Sequence, residues 1–580
     1  MILILYINIK KMQRISKINE EEYIDEEEYD VVKFVLSSKI IKTILSFLPK
    51  RDINYLDNIK NMRLVCKYTK ISVASIFNEL VFVVQDDNIN EVCAKNMRFE
   101  YKNIRLNKGI KTKNSTLTFF KKTFESLTFD RPTRLDKEIL KIYDLSNYKD
   151  LKEVKLSEDF DGTIDGLPSS ITYLTLGRFF ESTIISVFPS SLTYLNVGFY
   201  FNQPIDNLPS TLIHLILGDC FDQPIDRLPP TLTYLDIGRL FDQPIDHLPS
   251  TLKYLTLAGQ FNQPIDNLPL SIEILTLGDQ FNKNIDHLPA SLTLLILGTY
   301  FNQPIDHLPK FITHLTLGLE FNQPIDNLPQ SLTDLSLGDY FNQYIDCLPS
   351  SIKVLTLGCF FNQPINHLPI SIKNLTLGDY FNQPIDNLPK SLKSLTLGFD
   401  FNQNIDHLPK SLERLTFGEN FNQPIDSLPK SLKSLTLGDY FDQIVDHLPQ
   451  NLTFLKLGSD FNKHIDHLPA ALISLILGYD FNQSINYLPP TLVDLELEDK
   501  FNQPIDNLPP SLKRLELGVQ FNQHIDHLPP SLTSLKLGYY FNQHIDNLPL
   551  LIRSLTLGSC FHHSINNLPK SCVHFNIKNF

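Results

Sequence analysis

Histidine and aspartate are the residues here that could do chemistry, and both return at fixed intervals. Histidine stands at His247, His287, His307, His407, His447 and His527, each time at the seventh position of a 20-residue unit, and asparagine is its alternative there. His464 with His467, His524 with His527, and the adjacent His562 and His563 have spacings that could contact one metal ion. A ligand role would not tolerate exchange for asparagine, and no third fixed ligand accompanies these pairs, so they read as polar loop residues. Asp206 and its equivalents recur in nearly every unit, replaced by Asn366, Asn486 and Asn566. Carboxylates from neighbouring units repel unless they are exposed or held by backbone donors, which points to open loop positions or Asx turns. The run Asp159-Phe160-Asp161-Gly162 has the opening of a calcium loop, but Phe160 and Ile164 fall in apolar columns and the terminal glutamate is missing. No GxSxG, GxxxxGKS/T, HExxH or kinase-like set occurs. The expectation is a non-enzymatic chain with no catalytic residue, no metal and no cofactor.

What must position these residues is the repeat itself. Phe201-Asn202-Gln203-Pro204-Ile205-Asp206-Asn207-Leu208-Pro209-Ser210-Thr211-Leu212-Ile213-His214-Leu215-Ile216-Leu217-Gly218-Asp219-Cys220 is a representative unit, and phenylalanine returns every 20 residues from Phe201 to Phe561. Phe160 and Phe180 keep the step upstream, with one extra residue between Ile184 and Pro189 that a loop bulge absorbs. Leu212-x-x-Leu215-x-Leu217 alternates apolar and variable residues, the signature of a strand with one face on a core. Leu208-Pro209 fixes an extended return leg. Phe201, Ile205, Leu208, Leu212, Leu215 and Leu217 supply an apolar set that no single coil could bury, so about 21 coils must stack into one parallel sheet, at about 4.8 Å per coil a body of roughly 100 Å. Gly218 and its equivalents fit a positive φ or a close backbone approach. Aspartate, at Asp222, Asp242 and Asp442, is the only regular substitute for Asn202, so an accepting oxygen that satisfies backbone N–H groups is what matters there.

The 580 residues are 42% hydrophobic and 20% charged, enough apolar material for a core of this kind. A net charge of −13 with no basic stripe interleaved with aromatics argues against a nucleic-acid partner. Seven scattered cysteines without a CxxC pair favour a reducing compartment, the cytoplasm. The apolar run from Met1 to Ile7 is too short to span a bilayer, and no membrane partner is expected. Residues 1–30, with Glu20-Glu21-Glu22 and Glu26-Glu27-Glu28, read as an acidic disordered tail. Residues 31–80 read as a helical unit: Ile40, Ile41, Ile44, Leu45 and Leu48 share one helical face, Pro49 stops it, and Met62, Val65 and Tyr68 mark a second amphipathic stretch. Residues 81–150 read as an irregular connector and cap, with short strands at Leu80–Val84 and Leu117–Phe120, and residues 151–580 as the array.

The motif Leu-Pro-x-Ser-Leu-x-x-Leu-x-Leu-Gly-x-x-Phe-Asn-Gln-Pro-Ile-Asp resembles the FNIP repeat, a divergent leucine-rich repeat of social amoebae and giant viruses, over residues 151–577. In a viral protein the compartment would be the host cytoplasm. The helical unit resembles an F-box, with Leu36, Ile40, Ile44, Leu48, Pro49, Arg51-Asp52 and Leu64-Val65-Cys66-Lys67 at signature positions. That resemblance implies that Leu36, Ile40, Ile44, Leu48, Pro49, Leu64, Val65 and Cys66 dock a Skp-type adaptor of a cullin-RING ubiquitin ligase while the repeats capture a target protein. The fold class is therefore mainly β, a leucine-rich-repeat-like parallel solenoid of about 21 short coils with a small α-helical F-box-like unit ahead of it.

Packing fixes the core columns and leaves outward strand positions free to recognise a partner. Thr256, Thr276, Thr316, Thr356, Thr376, Thr396, Thr416 and Thr436 form a plain ladder with little recognition content, while Lys353, Lys373, Lys393 and Lys433 make a basic stripe. Tyr173, Tyr194, Tyr234 and Tyr254 occupy equivalent outward sites and are the better anchors for a target, with Phe454, beside Ile473 and Ile476, a second apolar patch. Two rival readings are a pure interaction scaffold with no ubiquitin role and a threonine-lined solenoid that orders water or ice.

Overall fold

The computed structural model describes residues 150–578, except 157, 159–163, 165–166 and 182–187, together with three upstream strands. The F-box-like unit and the acidic tail lie outside the described residues, as does Leu117–Phe120.

The apolar-variable alternation becomes one short strand per coil, and the strands join a 25-stranded sheet in which every pairing is parallel and links sequence neighbours. Register is set by the repeat: Leu275 pairs with Leu295, and Leu295 with Leu315, so each core column is a straight row of like residues. The extra residue after Ile184 leaves the ladder intact, because Leu174 pairs with Leu195 across 21 residues rather than 20. The sheet begins upstream of the periodic array, with Phe82–Val84, Asn103–Leu106 and Ser126–Phe129 as its first strands and Ser126–Phe129 pairing with Glu153–Lys155. Beyond residue 150 the described chain has no helix, and the Leu-Pro leg is extended as its proline requires.

Leu255 and Leu257 point into the core while Tyr254 and Thr256 face outward, and this pattern repeats along the sheet. From Phe201 to Phe541 the phenylalanines of the 20-residue column are sealed from water and lie in offset stacks, with ring centroids 6.1 Å apart and planes 6° apart for Phe261 and Phe281. Isoleucines equivalent to Ile265 and leucines equivalent to Leu252, Leu255 and Leu257 close the core, and Leu208 and its equivalents pack at its border. Burying each such side chain contributes about 1.5–3 kcal/mol.

Close approach, not backbone handedness, explains most of the glycine column. A Cβ on Gly318 would sit 2.0 Å from the carbonyl oxygen of Gly298 in the coil below. Left-handed φ is confined to Gly198 and Gly259 among the described glycines. Gly259 follows Ala258, which takes the usual glycine position; the chain there moves its glycine one residue on.

Candidate functional site

The histidines and aspartates of the return leg are partners across coils. His307 Nδ1 lies 3.0 Å from Asp286 of the preceding coil, and His247, His287, His367, His407, His447, His467 and His527 repeat the contact at 3.0 to 3.3 Å. Where asparagine replaces histidine, its Nδ2 donates to the same carboxylate, as Asn327 does to Asp306 at 3.1 Å. One N–H donor aimed at one aspartate is all the position asks for, which is why the two residues exchange. The asparagine column works through its oxygen: Asn302 Oδ1 accepts from the N–H of Asn322 at 3.0 Å and from Gln323 Nε2 at 3.1 Å. Asp222 does the same toward Asp242 and Gln243, so the exchange with aspartate costs no acceptor. These ladders are spent on coil-to-coil cohesion. Serine and threonine hydroxyls such as Ser371, which donates to the Ile352 carbonyl at 2.6 Å, join the asparagine oxygens in satisfying backbone groups outside the sheet.

The strand face is different, because its side chains are free of that task. Parallel pairing sets Tyr173 beside Tyr194, Tyr194 beside His214, His214 beside Tyr234 and Tyr234 beside Tyr254. The Tyr173 and Tyr194 rings stack with centroids 3.8 Å apart and planes 5° apart, and those of His214 and Tyr234 at 3.7 Å and 6°. Tyr194 and His214 lie 4.7 Å apart, and Tyr254 ends the row at 6.1 Å with a 34° tilt. The Lys155 ammonium stands over Tyr173 at 5.4 Å, held to Glu153 at 3.0 Å. Sequence reasoning found the four tyrosines and missed His214. Its signal was position alone, since it stands one repeat before Tyr234.

The match to the FNIP Repeat family model runs in successive windows from residues 160–200 to 524–560. The chain belongs to the FNIP repeat family. The FNIP array is similar to a solved structure titled "The crystal structure of CroV588 a novel circular LRR protein structure", with 36% sequence identity, 82% of each chain covered and a TM-score of 0.69. A second solved structure, YopM from Yersinia enterocolitica WA-314, is 20% identical over 72% of this chain and 89% of its own, with a TM-score of 0.43. Among curated proteins none matches. The FNIP coils thus form a solenoid of the leucine-rich-repeat type, a fold suited to protein interaction.

Not every outward residue of the FNIP array joins the ring ladder. Phe454 pairs with Ser434 and Ser474, half-buried and far along the sheet from Tyr254. The lysine stripe is partly neutralised within the array: Glu413 lies 2.6 Å from Lys393 and 2.9 Å from Lys433, and those bonds hold its carboxyl down to about 2. The docking set Leu36, Ile40, Ile44, Leu48, Pro49, Leu64, Val65 and Cys66 lies outside the described residues.

The three middle rings, Tyr194, His214 and Tyr234, are held in their uncharged forms. Burial pushes the Tyr194 hydroxyl up, helped by its hydrogen bond with Tyr173, and burial followed by the nearby Asp236 carboxylate does the same to Tyr234. Burial also pulls His214 below the ordinary imidazole value, so it stacks as a neutral ring. Unfolded chain takes up a proton on this histidine near pH 6.5, before the folded chain does, so acidification must weaken the surrounding coils until folded His214 itself protonates. Amide hydrogen exchange at residues 194–234, corrected for intrinsic rates, should therefore show lower protection at pH 5 than at pH 7.5. His214→Tyr, which continues the stack without a titrating imidazole, should lessen that difference; an unchanged difference would place its origin elsewhere.

Proposed function

We propose that the chain is a non-enzymatic target-recruiting subunit of a cullin-RING ubiquitin ligase, with the FNIP array holding the target and residues 31–80 docking a Skp-type adaptor. The observation that carries target binding is the ring ladder from Tyr173 to Tyr254: stacked, anchored on a rigid sheet and open on its outer edge, with Tyr254 37% exposed. Aromatic side chains fixed before binding lose little freedom when a partner covers them, and they dominate the energetics of interfaces. The adaptor role is supported by the residues quoted above, from Leu36 to Cys66, with Leu48-Pro49 at the end of the first amphipathic stretch.

The two roles separate in one experiment. Co-purification of the Skp-type adaptor with the full chain should be lost on Leu48→Asp, while proximity labelling by the array keeps the same set of neighbours. Tyr194→Ser with Tyr234→Ser should do the reverse, keeping the adaptor and losing the neighbours. Adaptor binding that survives Leu48→Asp would favour the plain scaffold, in which the array binds proteins without a ligase.

A further inference from the structure

A second row of rings lies on the turn that follows each strand. Tyr340, Phe360 and Tyr380 stack with centroids 4.9 Å apart and planes 4 to 11° apart. Backbone bonds lock these turns in register: the N–H groups of Tyr340, Phe360 and Tyr380 donate to the carbonyls of Leu319, Asp339 and Cys359 at 2.8 to 2.9 Å. The rings are thus rigidly placed, and still they face water, at 45%, 40% and 48% exposure. Leu319 and Phe399, one turn position earlier on the flanking coils, are also exposed, at 37% and 40%. Three stacked rings held open on consecutive coils form an apolar patch of the kind that marks an interaction surface, unlike apolar residues scattered singly.

Charge identifies the partner. From Leu319 to Tyr440 the two turn positions hold Glu320, Asp339, Asp379, Asp400, Glu419 and Asp439, and no lysine or arginine. The salt bridges of the described residues leave all six of these acids out, unlike return-leg aspartates such as Asp286 and Asp426, which meet His307 and His447. Their neighbours are neutral donors: Asp339 accepts from the Cys359 N–H at 3.3 Å, Asp400 from Asn420 at 2.9 Å and Asp439 from the Ser459 hydroxyl at 3.0 Å. An apolar stripe edged by carboxylates without counter-charges is complementary to apolar side chains flanked by cations.

We propose that this ridge binds a cationic amphipathic segment of another protein, its apolar side chains against Tyr340, Phe360 and Tyr380 and its Lys or Arg groups against Asp339, Asp379 and Asp400. The surface is separate from the ring ladder of the strand face, and the proposal stands whether or not the chain docks an adaptor.

The test titrates the full chain with a short synthetic amphipathic peptide of leucine and arginine, and with its glutamate-for-arginine counterpart, at physiological ionic strength. Saturable binding of the arginine peptide alone is expected. Both the Tyr340→Ser, Phe360→Ser, Tyr380→Ser triple variant and the Asp339→Asn, Asp379→Asn pair should weaken it by about tenfold or more. The asparagine pair is near-isosteric and keeps the test valid should the serine variant fold poorly. Asp326→Asn with Asp466→Asn, exposed on the return leg, removes the same charge and should leave affinity within about twofold. No saturable binding, unchanged affinity in the ridge variants, equal binding of the glutamate peptide, or an equal loss in the return-leg variant would each overturn the proposal.

Discussion

Phe341→Ala is expected to destabilise the array by about 3–5 kcal/mol, the usual cost of removing a fully buried phenylalanine. Phe341 is sealed from water and sits between Phe321 and Phe361, with centroids 6.1 and 6.2 Å away, so its loss opens a void shared by three coils. Because each coil touches only its neighbours, the damage should remain local and divide a single denaturant transition into two. The control is in the same coil. Tyr344 is 65% exposed, and Tyr344→Ala should change stability by less than about 0.5 kcal/mol. Similar losses in both variants would mean that the phenylalanine column is not the core.

Gly378→Ala has the second largest effect, about 1–3 kcal/mol of overpacking, although it adds only a methyl group. The new Cβ would meet the Gly358 carbonyl oxygen at 2.0 Å, a backbone atom that moves only if the coil spacing opens. The protein already contains the remedy. Ala258 is tolerated because Gly259 takes φ +53° immediately after it. Adding Asp379→Gly to Gly378→Ala should therefore recover about half or more of the lost stability, read from the same denaturant curves. A double variant less stable than the single one would show that the Ala258 arrangement does not transfer between coils.

Much of this architecture is legible in the sequence because each coil repeats the same physical problem. A 20-residue return of phenylalanine, a period-two leucine pattern and a proline on the return leg leave a parallel stack as the way to bury the apolar set. The exchange of Asn202 for aspartate even discloses which atom of that side chain matters. What a single unit hides is the identity of partners one coil away. Histidine and asparagine at the seventh position look interchangeable in sequence, and only the preceding coil's aspartate explains it. The glycine column is likewise explained by a carbonyl 20 residues earlier. Lys393 and Lys433 read as a free basic stripe until Glu413 is seen between them.

The ring ladder was half visible, since tyrosine announces itself and His214 does not. The turn ridge was invisible, because strand alternation ends at the glycine and turn geometry alone decides where Tyr340 and Phe360 point. Upstream, Asn103–Leu106 and Ser126–Phe129 pair at offsets of 23 residues, outside the period that made the rest readable.

The stacking of equal coils is the claim on which the other statements rest, and paired spin labels measure it directly. With native cysteines replaced, labels at the exposed strand residues His314, Arg414 and Arg514 lie five coils apart from one to the next. Pulsed dipolar spectroscopy should give one narrow distance, the same for 314/414 and 414/514 and about 24 Å at the interstrand spacing of a parallel sheet. Unequal or broad distances for the two pairs would contradict a regular stack of coils.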